Sequence, residues 1–233
     1  MPLKINYYQS MAHMMQIAAH DFLAELEQVL EKKPFFDVAL SGGQTAKDFF
    51  NYLVPIAMYH QLLKKIRFFF SDERAVPLDS PESNAGNAWR LLLEPLGIDK
   101  SQFFPMYDPN FSGNQNAENY QKLLEENLTL KKNIPCFDLI YLGLGLDGHI
   151  ASLFPNSNLV RENKLVAFTK EQNISFDRIT LMPKIIKTAQ KICLLALGPE
   201  KRALIEKLIK ENSDLPAQII LKKPNNSVVV LLA

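Results

Sequence analysis

The stretch Phe137–Asn156, FDLIYLGLGLDGHIASLFPN, constrains this chain more than any other part of it. Its first half is a run of strand length that is apolar but for Asp138. Runs of this kind read as strands buried on both faces of a sheet. The run then breaks into a glycine-rich turn that carries Asp147 and His149 close together. In an open α/β sheet, ligands sit just beyond the carboxyl ends of the strands, so this acid and imidazole stand where chemistry is expected. Gly143, Gly145 and Gly148 also spell G-x-G-x-x-G. A dinucleotide site needs a helix of ordinary length directly after that pattern. Pro155 comes too soon for one, and Asp147 and His149 occupy the spot where a pyrophosphate would dock.

The rest of the chain alternates between helix-like and strand-like segments. Helical spacing of Met14, Ile17, Ala18, Phe22, Leu26, Val29 and Leu30 predicts a helix over Ser10–Lys33. Strands are expected at Phe35–Leu40, Ile66–Phe70, Phe137–Gly143, Lys164–Phe168, Ile192–Leu197 and Val228–Leu232. Further helices are expected at Thr45–Val54, from Ser83 or Asn84 to Leu93, and at Ala117–Lys131, Met182–Thr188 and Glu200–Lys210. A polar loop is expected after Phe70. This alternation predicts an α/β fold with a mostly parallel sheet and helices on both faces. No Pro/Gly/Ser-rich linker interrupts the 233 residues, so residues 1–233 are expected to form a single domain.

A formal net charge of +1 gives no general pull towards nucleic acid or a membrane surface, and neither is expected as a partner. No apolar run approaches the roughly 20 residues of a membrane span, and MPLKINYYQS lacks the apolar core of a signal peptide. A cytoplasmic location is the default expectation. Cys136 and Cys193 each open an apolar run and read as buried free thiols. The histidines and cysteines do not fall at metal-ligand spacing, so no metal is expected. His13, His20 and His60 read as structural or surface groups.

Three strands end in loops rich in functional groups. Ser41-Gly42-Gly43-Gln44-Thr45 leads through two glycines into a helix start, which offers backbone N–H groups, a positive dipole end and two hydroxyls. It reads as a cradle for a phosphate monoester, with a plain βα turn as the alternative, and it lacks the Gly-Lys-Ser/Thr ending of a P-loop. Ser71-Asp72-Glu73-Arg74 follows FFF; Arg74 could clamp an oxyanion or phosphate oxygen, with Asp72 or Glu73 orienting it. The third loop holds Asp147 and His149. Histidine titrates near neutrality, at about 6.5, and a neighbouring carboxylate can fix its tautomer. Arg178, in DRITL, and Lys201, near a predicted helix start, add two cations. A cation there opposes the helix dipole, and a bound anion would relieve the cost.

The order of these pieces is SGGQT, FFFSDERAVPLDSPESNAGNA, FDLIYLGLGLDGHIASLFP, DRITL, GPEK and LPA. From end to end the chain resembles the 6-phosphogluconolactonase family. The resemblance implies a Rossmann-like fold shared with glucosamine-6-phosphate deaminases and ribose-5-phosphate isomerases. It implies hydrolysis of 6-phospho-D-glucono-1,5-lactone, the second step of the oxidative pentose phosphate pathway, with a small sugar-phosphate lactone as partner and no metal or organic cofactor. A monomer or weak homodimer is expected. Carried over by position, Ser41, Gly42, Gly43 and Thr45 would line the phosphate site. Arg74, Lys201 and Arg178 would hold anionic groups, beside Asp72. His149 would activate water, with Asp147 next to it.

The chain departs from the family pattern where Ser-Thr-Pro is replaced by Gln44-Thr45-Ala46. Two other readings are open. One is a deaminase of the same fold, which resembles the chain through Asp-Gly-His-Ile-Ala but places a catalytic glutamate where Phe154 stands. The other is a sugar-phosphate-binding protein without catalysis.

Overall fold

Six parallel strands carry the molecule. The computed structural model describes residues 3–155, 157–170, 175–221 and 227–233. Its elements begin with β1 (Leu3–Tyr7), α1 (Met11–Leu30), β2 (Phe36–Leu40), α2 (Gly43–Ala57), β3 (Ile66–Phe70), β4 (Asp72–Arg74) and α3 (Asn84–Ala88). They continue with α4 (Gly113–Asn127), β5 (Leu130–Lys131), β6 (Ile134–Pro135), β7 (Leu139–Gly143), β8 (Val166–Thr169) and β9 (Arg178–Leu181). The last are α5 (Pro183–Ile186), β10 (Lys191–Ala196), α6 (Pro199–Lys210), α7 (Gln218–Leu221) and β11 (Ser227–Leu232). The main sheet runs β1-β11-β10-β7-β2-β3, with every pairing parallel.

The apolar runs explain the sheet. All five residues of β2 are buried, as are nearly all those of β7 and β10, which requires cover on both faces. The helix α1 starts at Ser10, whose Oγ accepts from the backbone N–H of His13 at 3.3 Å. It buries Met14, Met15, Ala18, Ala19, Phe22 and Leu26 on one face. Phe22 meets Phe36 of β2 edge-on at 5.6 Å, and Phe49 of α2 lies 4.7 Å from Tyr141 of β7. Phe69 of β3 stacks on Phe104 at 4.6 Å. The hydroxyl of Tyr120 in α4 accepts from the N–H of Phe70 at 2.9 Å, tying that helix to the end of β3.

Strand order reverses between β7 and β2. The ladder there is only two residue pairs long, Val38 with Leu139 and Ala39 with Ile140. Past those pairs the strands part and open a crevice at their carboxyl ends, where this class of sheet binds ligands. The opposite end is closed by charge: Lys33 bridges Asp138 at 2.8 Å and Asp37 at 3.2 Å, and Arg67 meets Asp37 at 2.6 Å.

Several expectations need correction. Ile66–Phe70 is not followed by a plain polar loop: Asp72–Arg74 is itself a strand, β4. The expected strand at Lys164–Phe168 lies outside the parallel sheet, as β8 of a second, antiparallel sheet ordered β4-β9-β8. The helix expected at Ala117–Lys131 instead spans Gly113–Asn127, because Ser112 and Gln115 form a capping box earlier in the sequence. Leu130–Lys131 and Ile134–Pro135 then pair as a hairpin. The helix after Ser83 is α-helical only to Ala88 and widens into one π turn over Trp89–Leu93. The elements β1, β9 and α7 were not expected. His60 caps a 3₁₀ turn, its ring accepting from the N–H of Leu62 at 3.4 Å. Both cysteines are buried free thiols, and burial pushes Cys193 up to about 12.

Candidate active site

Four adjacent strands, β10, β7, β2 and β3, deliver their carboxyl ends to one cleft of about 390 Å³. From β2 come Ser41 and Gly42, and then the start of α2. Gly42 caps this helix without a side-chain hydrogen bond, so first-turn N–H groups are left for a ligand. Gly43 has φ +81, a left-handed value that a side chain would strain. Ser41, Gly42, Gly43 and Thr45 all line the cleft. Gln44 lines it too, but its carboxamide donates along the helix to Asp48 at 2.8 Å. From β10 the chain passes through Gly198 into α6, which also lacks a side-chain cap and sets Lys201 on the cleft wall. Burial pulls the Lys201 ammonium below its ordinary pKa.

The antiparallel sheet supplies the guanidiniums. Arg74 of β4 and Arg178 of β9 stand at partner positions in the ladder, and both line the cleft. Like charges at such positions repel. Burial, and then the Arg74 charge, pull Arg178 below the usual arginine range. Glu82 anchors one end of Arg74, accepting from Nη1 through its backbone carbonyl at 2.8 Å and pairing through its carboxylate at 3.2 Å. The Nε atoms of both arginines are buried without an acceptor. Two under-compensated cations with orphaned donors fit an anionic ligand.

The Gly143–Pro155 segment after β7 is an open turn with no helix, so the G-x-G-x-x-G pattern does not build a dinucleotide site. Asn156, the end of the stretch singled out above, lies outside the described residues. Gly148 has φ +85, and its carbonyl accepts from the N–H of Ala217, so LPA packs beneath this turn. Asp147 Oδ1 sits 2.6 Å from His149 Nδ1 and also accepts the His149 backbone N–H at 3.1 Å. That bond commits Nδ1 and leaves Nε2 for other chemistry. His149 lines the cleft, and Phe154 packs against its ring at 4.9 Å. Asp147 does not line the cleft and meets the ring at Nδ1.

Nine of the ten residues singled out from sequence thus share one cavity, and Asp147 reaches it through His149. Asp72 is there, with its carboxylate accepting from Ser152 Oγ at 2.7 Å and Ser71 Oγ at 3.2 Å. Sequence reasoning misses Ser152 and the placing of Asn84, and it offers Glu73 as orienting Arg74, whereas the bond between them runs from the Arg74 backbone N–H to the Glu73 carboxylate. Glu73 is buried, and its two oxygens accept from the backbone N–H groups of Arg74, Asn84 and Ala85 and from Ser83 Oγ, at 2.7–3.0 Å. It latches α3 onto β4. The sequence offers Asn84 only as a helix cap, a role Ser83 fills. Its Nδ2 donates to the Asp72 carbonyl at 3.0 Å, and its buried Oδ1 has no donor. An unmet buried acceptor costs about 1–3 kcal/mol.

The model of the glucosamine-6-phosphate isomerases/6-phosphogluconolactonase family matches residues 9–230. The chain belongs to that family. Within it, the chain is 33% identical over 200 residues to the 6-phosphogluconolactonase of Chlamydia pneumoniae, a match covering 82% of this chain and 71% of that protein. The solved 6-phosphogluconolactonase of Thermotoga maritima has a TM-score of 0.85 at 26% identity, over 99% of both chains. A monomeric glucosamine-6-phosphate deaminase has a TM-score of 0.79, over 98% of this chain and 96% of that one. At 21% identity that likeness is one of fold alone.

Proposed function

We propose that this protein hydrolyses 6-phospho-D-glucono-1,5-lactone to 6-phospho-D-gluconate, as in the second step of the oxidative pentose phosphate pathway. The reading is carried by one observation: an imidazole held by a carboxylate at 2.6 Å shares its cleft with Arg74, Arg178 and Lys201. The phosphate is read as bound by the uncapped start of α2 with Lys201 and Arg178. The lactone then extends towards His149.

His149 Nε2 takes a proton from water as the water oxygen bonds to the lactone carbonyl carbon. Arg74 stabilises the resulting oxyanion. The bond from that carbon to the ring oxygen breaks, the imidazolium returns its proton to the departing oxygen, and the product is an open-chain acid with a free hydroxyl. Asp147 holds the tautomer and steadies the imidazolium between the two transfers. Asp72 is an acceptor, and its place beside Ser71 and Ser152 favours contact with substrate hydroxyls over phosphate. Phe154, packed on His149, cannot carry a proton, which counts against deaminase chemistry.

The test is to follow loss of freshly prepared 6-phosphogluconolactone, with glucosamine-6-phosphate and an ammonia assay in parallel. The expected result is lactone loss without ammonia. His149→Ala is expected to lower kcat by at least about 10²-fold with little change in KM. Full activity in that variant would discard His149 as the base.

A further inference from the structure

The turn that carries His149 is fastened at one residue to the sheet that carries the arginines. Side chains two apart along a strand share a face, and so do residues paired across a ladder. Asp72 pairs with Thr180, and Arg74 pairs with Arg178 at the next same-facing position of the β4–β9 ladder. These four side chains therefore form one face. Arg74 and Arg178 point their half towards the cleft, while Asp72 and Thr180 grip Ser152. Ser152 Oγ donates to Asp72 Oδ2 at 2.7 Å, and its N–H donates to Thr180 Oγ1 at 3.1 Å. Ser71 Oγ braces the other Asp72 oxygen at 3.2 Å. Among the described residues, the hydrogen bonds that join the Gly143–Pro155 segment to β4 and β9 are the two made by Ser152.

Ser152 is 1% exposed and sits in a tight turn, in which the N–H of Leu153 donates to the Ile150 carbonyl at 3.0 Å. Ala151, between Ile150 and Ser152, has φ 49, a left-handed value uncommon for a residue with a side chain. Such backbone persists where its surroundings over-determine it. Here Ser152 is held on one side, and on the other the His149 carbonyl accepts from the Gly145 N–H at 2.9 Å.

We propose that Ser152 is a positioning residue: its hydroxyl and N–H seat the His149 turn at a fixed place beside Arg74 and Arg178, so that base and oxyanion donor converge on one carbonyl. This rests on the lactonase reading above. Misplacing a catalytic group by about 1 Å can cost about 10²-fold in rate. The phosphate grip, built on α2 and Lys201, does not pass through this seat.

The experiment measures kcat on 6-phosphogluconolactone for wild type, Ser152→Ala, Thr180→Val and Thr180→Ser. Calorimetric titration with 6-phosphogluconate gives each protein's Kd and its fraction of competent sites, so kcat is expressed per competent site. Ser152→Ala and Thr180→Val are each expected to lower kcat by about 10- to 100-fold, with the product Kd within about twofold of wild type. Thr180→Ser keeps the acceptor and is expected to recover most of that loss. Unchanged kcat in Ser152→Ala or in Thr180→Val overturns the proposal. Loss of product binding together with kcat also overturns it, because that is what a merely structural seat would give. A Thr180→Ser as slow as Thr180→Val does the same. A wild type that binds 6-phosphogluconate but leaves the lactone intact sinks the lactonase reading, and this inference with it.

Discussion

Gly145 shows how much one missing atom can decide. A Cβ there would meet His149 Nδ1 at 2.1 Å and Asp147 Oδ1 at 2.5 Å, closer than real contacts allow. The imidazole and its carboxylate fold over the bare Cα. Gly145→Ala is therefore expected to push the pair apart and to lower kcat by about 10²-fold, with a circular dichroism spectrum like that of wild type. Unchanged kcat would mean that the pair tolerates displacement. The sequence announced Asp147 and His149, since an acid and an imidazole on a glycine turn are unusual in an apolar neighbourhood. It hid Asn84, because an asparagine beside a serine at a helix start has an ordinary explanation. Only the fold reveals that Ser83 is the cap and that Asn84 is turned towards Gly42.

At the level of elements, five of the six parallel strands were legible because each is a short, mostly apolar run between glycine, proline or charge. The strands missed were β1, β4 and β9, which read LKINY, DER and RITL. Their polarity conceals them, and two of the three carry the cleft's guanidiniums. Such strands exist only through their tertiary partners. The β5–β6 hairpin was missed for a related reason. Its turn residues, Lys132 and Asn133, have φ of 53° and 60°, where Asn-Gly would be the usual signal. Asparagine tolerates that region, but lysine is strained in it. Lys132→Asn is expected to raise stability by about 0.5–1 kcal/mol in urea denaturation. A decrease would mean that Lys132 makes a compensating contact elsewhere.

For the molecule as a whole, Glu73 links stability to pH. Burial pushes its carboxyl up from 4.5 to about 7, against the opposing pull of its four donors. Between those values the folded chain keeps a proton that the unfolded chain has released. The contribution is complete below pH 4.5 and is lost as pH rises to about 7. The stability of wild type minus that of Glu73→Gln should fall across that window and level off above it, as measured by urea denaturation at a series of pH values. A difference that does not vary with pH would remove Glu73 from the account. We propose that residues 1–233 act as one domain, and the same measurements should then show one cooperative transition.

The topology binds the earliest strand to the latest. Leu3–Tyr7 has a single neighbour, Ser227–Leu232, which itself lies between it and Lys191–Ala196. Residues near the start of the sequence thus cannot join the sheet until a strand more than two hundred positions away has docked. Withdrawal of that later strand would strand the first one and bare the edge of KICLLA, an apolar ribbon primed for pairing with another chain. Protection of that edge therefore falls to one late strand, whose far end also meets Gly198 through the Ala233 carbonyl at 2.8 Å.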